Sequence, residues 1–160
     1  MWVKLVTPVF ALPIFLSTSA FAALGGNAST IQADISSLNA RMVAGAADTA
    51  AKANDPVPYA IQELKQQDGS TIREYVANNR VFGIAWDAPA PPNLHQLLGD
   101  YFEAFVSSMQ VKNNRNPGHR MITIEAPGLV VHEIGHMRSF QGQAYVPSFV
   151  PPGVRVEDIR

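Results

Sequence analysis

The sequence predicts an α+β fold: an antiparallel sheet in a β3-α-β3 arrangement with one long amphipathic helix packed on it. Three observations carry this expectation. Tyr59 to Ala88 holds three short runs with strand-like composition, separated by Asp68-Gly69 and Asn78-Asn79. Leu94, Leu97, Leu98, Tyr101, Phe102, Phe105, Val106 and Met109 then recur at helical spacing. Met121 to Glu125, Leu129 to Ile134 and Arg138 to Val146 read as three further strands, divided by Pro127-Gly128 and by a break near Gly135. A sheet of this kind needs a cover for its apolar face, and the helix supplies one.

The chain opens with what reads as a cleavable secretory signal over residues 1–22. Lys4 provides the positive charge, Leu5 to Leu16 is apolar and uncharged, and Ala20-Phe21-Ala22 is an A-x-A cleavage site, which puts the mature start at Ala23. Pro8 and Pro13 interrupt the run, and it falls short of the roughly 20 apolar residues that a bilayer span requires. The expectation is a periplasmic or secreted protein with no transmembrane segment in its mature chain. It has no cysteine, so neither a disulfide framework nor a lipidated cysteine anchor is available. Taking 22 residues from 160 leaves 138, enough for one domain that rests on its own core. Removing Lys4 leaves 11 basic against 13 acidic side chains, a net −2. That balance argues against a nucleic-acid partner. Lys112, Arg115, His119 and Arg120 do cluster, but among asparagines, a proline and a glycine that read as a solvated loop.

Residues 23–58 form an N-terminal segment. Ala23 to Asn27 reads as a flexible start. Ser29 or Thr30 caps a short helix through Ile31, Ile35, Leu38 and Met42, and Val43 to Pro58 reads as a mobile connection. Residues 59–160 are the α+β domain. A two-residue Asp68-Gly69 turn would set Glu63 opposite Glu74. A three-residue loop, Gln67-Asp68-Gly69 with Gly69 left-handed, instead sets Glu63 opposite Arg73, Leu64 opposite Ile72 and Ile61 opposite Tyr75. Such pairs each gain roughly 0.2–1 kcal/mol, so the longer loop is expected. At the second turn, Asn78-Asn79 sets Val76 opposite Val81 and Tyr75 opposite Phe82. Pro89, Pro91 and Pro92 end the first sheet segment, and Asn93 caps the helix with Gln96 three residues on. Pro147 to Arg160, with three prolines and a glycine, is expected to lie along the surface.

The motif closest to chemistry is His132-Glu133-Ile134-Gly135-His136. In H-E-x-x-H zinc peptidases this pattern lies on a helix, where the two histidines bind metal and the glutamate acts as general base. Here His132 and His136 would be ligands and Glu133 the base. Gly135 in a helix interior costs roughly 1 kcal/mol relative to alanine, and Pro127-Gly128 caps a helix poorly. Ser139 and Gly142 stand where the extended zincin signature needs glycine and histidine. Only Glu157 and Asp158 remain downstream as acidic third ligands. On the strand reading His132 and Glu133 point to opposite faces, Gly135 marks a bulge or turn, and His136 is a structural histidine.

Several stretches resemble the exported proteobacterial proteins grouped as domain-of-unknown-function family 2844. They are Ala23-Leu24-Gly25-Gly26, Arg73-Glu74-Tyr75-Val76, Val81-Phe82-Gly83-Ile84-Ala85-Trp86, Leu97-Leu98-Gly99-Asp100-Tyr101-Phe102 and the run Gly135 to Pro147. The resemblance covers nearly the whole mature chain. It implies no activity, cofactor or catalytic residue, and it does not make His132 or Glu133 a defining feature. The leading reading is therefore an exported, non-enzymatic binding or envelope-associated module of unknown partner, with no cofactor. Glu74, Tyr75, Trp86 and His136 are its candidate pocket residues. The alternatives are a small zinc-dependent metallopeptidase and a periplasmic lipid or small-ligand carrier with its pocket between helix and sheet.

Overall fold

The computed structural model describes residues 24–28, 40–42, 59–115 and 121–160. The expected signal, the cleavage site, the connection over 43–58 and most of the short helix lie outside the described residues. So do the side chains of the Lys112, Arg115, His119 and Arg120 cluster.

Among the described residues, seven strands form one antiparallel sheet: β1 (Ala40–Met42), β2 (Ala60–Gln66), β3 (Thr71–Ala77), β4 (Arg80–Ala88), β5 (Met121–Ala126), β6 (Leu129–His136) and β7 (Ser139–Tyr145), ordered β1-β2-β3-β4-β7-β6-β5. A helix lies between β4 and β5 in the chain and packs on the sheet, so the class is α+β. The sheet has one strand beyond the expected six. β1 sets Met42 opposite Leu64, which overturns the expectation that Met42 ends a helix. The outer edge of β2 gains backbone partners there, a need that local helical spacing does not register.

The first hairpin has the expected register, with Glu63 opposite Arg73, Leu64 opposite Ile72 and Ile61 opposite Tyr75. Gly69 is left-handed at φ 91°, and Arg73 Nε donates to Glu63 Oε2 at 3.0 Å. At the second turn Asn78 and Asn79 have φ of 49° and 60°, the positive pair a type I′ turn requires. Val76 faces Val81 as expected, but Tyr75 faces Gly83 rather than Phe82. Phe82 is the extra residue of a β-bulge, so Phe82 and Gly83 together oppose Tyr75.

Asn93 Oδ1 accepts from the Gln96 backbone N–H at 3.2 Å, capping α1 (Leu94–Leu98). The helix is then interrupted. Gly99 takes φ 51° and ψ −123°, a conformation that side-chain-bearing residues avoid, and a 3-10 turn over Gly99–Tyr101 leads into α2 (Phe102–Arg115). The apolar stripe survives the break, because a three-residue turn keeps nearly the same phase. Leu98 and Phe105 are buried against Val81, Ile84, Ile124 and Val131.

The opposite face of the sheet is covered as well. Ile159 is fully buried in a second cluster with Tyr59, Tyr75, Phe82 and Ala85. The tail thus closes a second core, where it had been expected only to lie along the surface. Ile159 seats on Gly83, where an added Cβ would lie 3.0 Å from its Cδ1. Tyr75 Oη donates to the Arg160 carbonyl at 2.8 Å and accepts from the Arg160 N–H at 2.9 Å. The start of the described chain is equally engaged. Leu24 is buried, its N–H donates to the Leu97 carbonyl, and Gly25 and Gly26 exchange backbone bonds with Val81. The flexible start expected from composition is a structural element.

Candidate functional site

Register decides which chemistry-bearing residues meet. Directly opposed residues of adjacent strands share a face. Ile72, Trp86, Gly142, Glu133 and Ile122 therefore form one row across β3, β4, β7, β6 and β5. The neighbouring row runs Glu74, Ile84, Ala144, Val131 and Ile124. Both rows lie on the side covered by the helix, where Ile84, Trp86, Ile124, Val131 and Ala144 belong to the main core.

The expected H-E-x-x-H segment is extended within β6. His132 and His136 stand four strand residues apart, about 13 Å at about 3.3 Å per residue. Zinc–nitrogen bonds of about 2.0–2.1 Å cannot span that gap. Glu133 points to the opposite face from both. The zincin arrangement is not formed, and no group of three or more His, Asp or Glu side chains suited to a metal occurs among the described residues. The break expected near Gly135 falls two residues later, at the Met137-Arg138 turn between β6 and β7, where Arg138 takes φ 63°. Gly135 pairs in register with Phe140, whose ring covers it, with Cε1 3.3 Å from where a Cβ would be.

The four expected pocket residues separate. Glu74 and Trp86 share the helix-facing side as diagonal neighbours, both buried. Tyr75 lies on the other face and holds the tail; burial raises its pKa, an effect partly offset by its bond to the Arg160 backbone and by the charges of Arg73 and Arg160. His136 is exposed at the β6–β7 hairpin. His132, also on the tail-facing side, has Nδ1 3.1 Å from Thr123 Oγ1 and its ring 6.4 Å from that of Tyr145. This is a structural imidazole on a partly exposed sheet surface.

The site that emerges is centred on Trp86. Its indole leans across β7 over Gly142, where an added Cβ would lie 2.6 Å from Cε2 and also collide with Cζ2. Only glycine leaves room for that ring. Beyond Gly142 in the same row is Glu133, half-buried, with its carboxyl held above the ordinary 4.5 by desolvation. Trp86 Nε1–H is buried and has no hydrogen-bond partner among the described residues. An unmet buried donor costs about 1–3 kcal/mol, and such groups are rare in folded proteins. On the hairpin side of this row, Phe140 and Gly135 share the same face. The Trp86 and Phe140 rings thus lie over the two glycines, with Glu133 on the same face. The part of this constellation missed from sequence is Gly142 and the placement of Glu133. Both follow from the β4-β7-β6 neighbour order, which local pattern does not encode.

The family described as "Protein of unknown function (DUF2844)" matches residues 20–159, and the chain belongs to that family. No curated protein and no solved structure matches the chain.

Proposed function

We propose that this chain is an exported, non-enzymatic binding module whose candidate contact surface is the Glu133 end of the Trp86–Gly142–Glu133 row on the helix side of its sheet. The observation that carries this reading is the buried Trp86 Nε1–H with no hydrogen-bond partner among the described residues, in one row with a half-buried carboxyl. The interface between helix and sheet is occupied by Leu98, Phe105, Ile84 and Val131, which favours a small polar ligand over a lipid chain. Lys4, the apolar run to Leu16 and Ala20-Phe21-Ala22 support export with cleavage after Ala22.

Native mass spectrometry of the purified protein tests the binding reading. The expected result is a co-purifying compound or a saturable adduct whose retention is reduced in Trp86→Phe and in Glu133→Gln. Retention unchanged in both variants would remove the site. N-terminal sequencing of protein from a periplasmic extract should begin at Ala23, and a chain still beginning at Met1 would contradict export by cleavage.

A further inference from the structure

We infer that Met137, together with Met121, is a reversible oxidation site, at which peroxide-class oxidants convert the thioether to the sulfoxide while the chain stays folded. The inference goes beyond the binding reading and does not rest on it.

The chain has no cysteine and five methionines, so thioethers carry all of its sulfur chemistry. Three of them, Met109, Met121 and Met137, have described side chains, and their access to solvent differs widely. Met137 is 95% exposed and Met121 63%, whereas Met109 is partly buried against the main core. Oxidation of sulfur follows that access.

The turn that carries Met137 departs from what hairpin stability favours. Met137-Arg138 joins β6 to β7, with His136 opposite Ser139. Arg138 takes φ 63°, a conformation that glycine or asparagine adopts at less cost. The Asn78-Asn79 turn of the same sheet has asparagine at both of its positive-φ positions. A methionine that buries almost nothing adds almost no transfer free energy to the fold. Making it a polar sulfoxide therefore removes no core packing. Met121 opens the edge strand β5 opposite Ile134, itself exposed, so a sulfoxide there also meets water.

In the forward step a sulfur lone pair attacks one oxygen of hydrogen peroxide and the O–O bond breaks. The proton of the resulting hydroxysulfonium passes to the departing hydroxide, leaving sulfoxide and water. Sulfur loses two electrons and peroxide gains them. In the return step a thiol-dependent sulfoxide reductase removes the oxygen as water while two thiols become a disulfide. A reductase must enclose the oxidised side chain, and an almost fully exposed turn residue allows this without unfolding.

The test treats the purified full chain with graded hydrogen peroxide at neutral pH and reads sulfoxide at each methionine by peptide mass spectrometry. Met137 is expected to oxidise about tenfold faster than Met109 or more, with Met121 between them. Met137→Leu should remove the fastest phase and leave the other two. Chain oxidised at Met137 under mild treatment should keep its thermal midpoint. Sulfoxide reductases for both epimers, supplied with dithiothreitol, should restore the thioether in the folded protein. Comparable rates at Met109 and Met137 would overturn the site. A lowered midpoint after oxidation of Met137, or a sulfoxide reduced only after denaturation, would overturn its reversibility in the folded chain.

Discussion

Glu133 carries an electrostatic cost that its neighbours do not relieve. Desolvation raises its pKa above 4.5, so the folded chain holds this proton more tightly than the unfolded one. Below both pKa values the group is neutral in both states and costs nothing. The cost appears as pH rises through the folded value and is complete at neutral pH. Glu133→Gln should therefore raise the urea midpoint at pH 7 relative to the parent, with the gain vanishing near pH 3.5. A gain of equal size at both pH values would contradict the desolvation account. Gly142→Ala acts on the same row by a different route. Its Cβ meets the Trp86 indole, and overpacking of this kind costs about 1–3 kcal/mol. The expected readout is a lowered thermal midpoint with red-shifted Trp86 emission, whereas unchanged emission would show that the ring does not depend on that glycine. The sequence pointed to Trp86 and Glu133 for separate reasons, one as a pocket residue and one through the H-E-x-x-H pattern. It could not join them, because their proximity is set by strands far apart in the chain.

At the scale of elements, what local chemistry specifies was legible and what crosses between elements was not. Glu63 and Arg73, Leu64 and Ile72 select the first hairpin register by charge and burial, and that register is the one formed. The Asn93 cap was equally readable. The bulge at Phe82 was not, because it places Phe82 and Gly83 on the side where Ile159 arrives from the far end of the chain. The break at Gly99 escaped because the apolar stripe keeps its phase through it, and a lone glycine inside a stripe reads as tolerated. Gly99→Ala tests that break. Alanine at φ 51°, ψ −123° is strained by about 1–3 kcal/mol. A fall in thermal stability of that size is expected, and a neutral or stabilising result would mean that α1 and α2 can join as one straight helix.

The described residues form a sheet with two cores, and the second depends on a tail of little regular structure. Tyr59, Tyr75, Phe82 and Ala85 form an aromatic floor, and the rings of Tyr59 and Phe82 meet edge-on at 5.7 Å. The tail closes that floor at two linked points, Ile159 over Gly83 and the Arg160 backbone clasped by Tyr75 Oη. Ile159→Ala removes a fully buried side chain, a change that typically costs about 2–5 kcal/mol. Tyr75→Phe removes two hydrogen bonds of about 0.5–1.5 kcal/mol each. If the tail docks as one unit, either change releases much of what the other would, and the double variant should lose less stability than the sum of the singles. The coupling is read from urea denaturation of the four proteins, with hydrogen exchange at the Ile159 and Arg160 amides as the local check. Strict additivity, with the Arg160 amide still protected in Ile159→Ala, would mean that the two contacts hold independently and that the second core closes residue by residue.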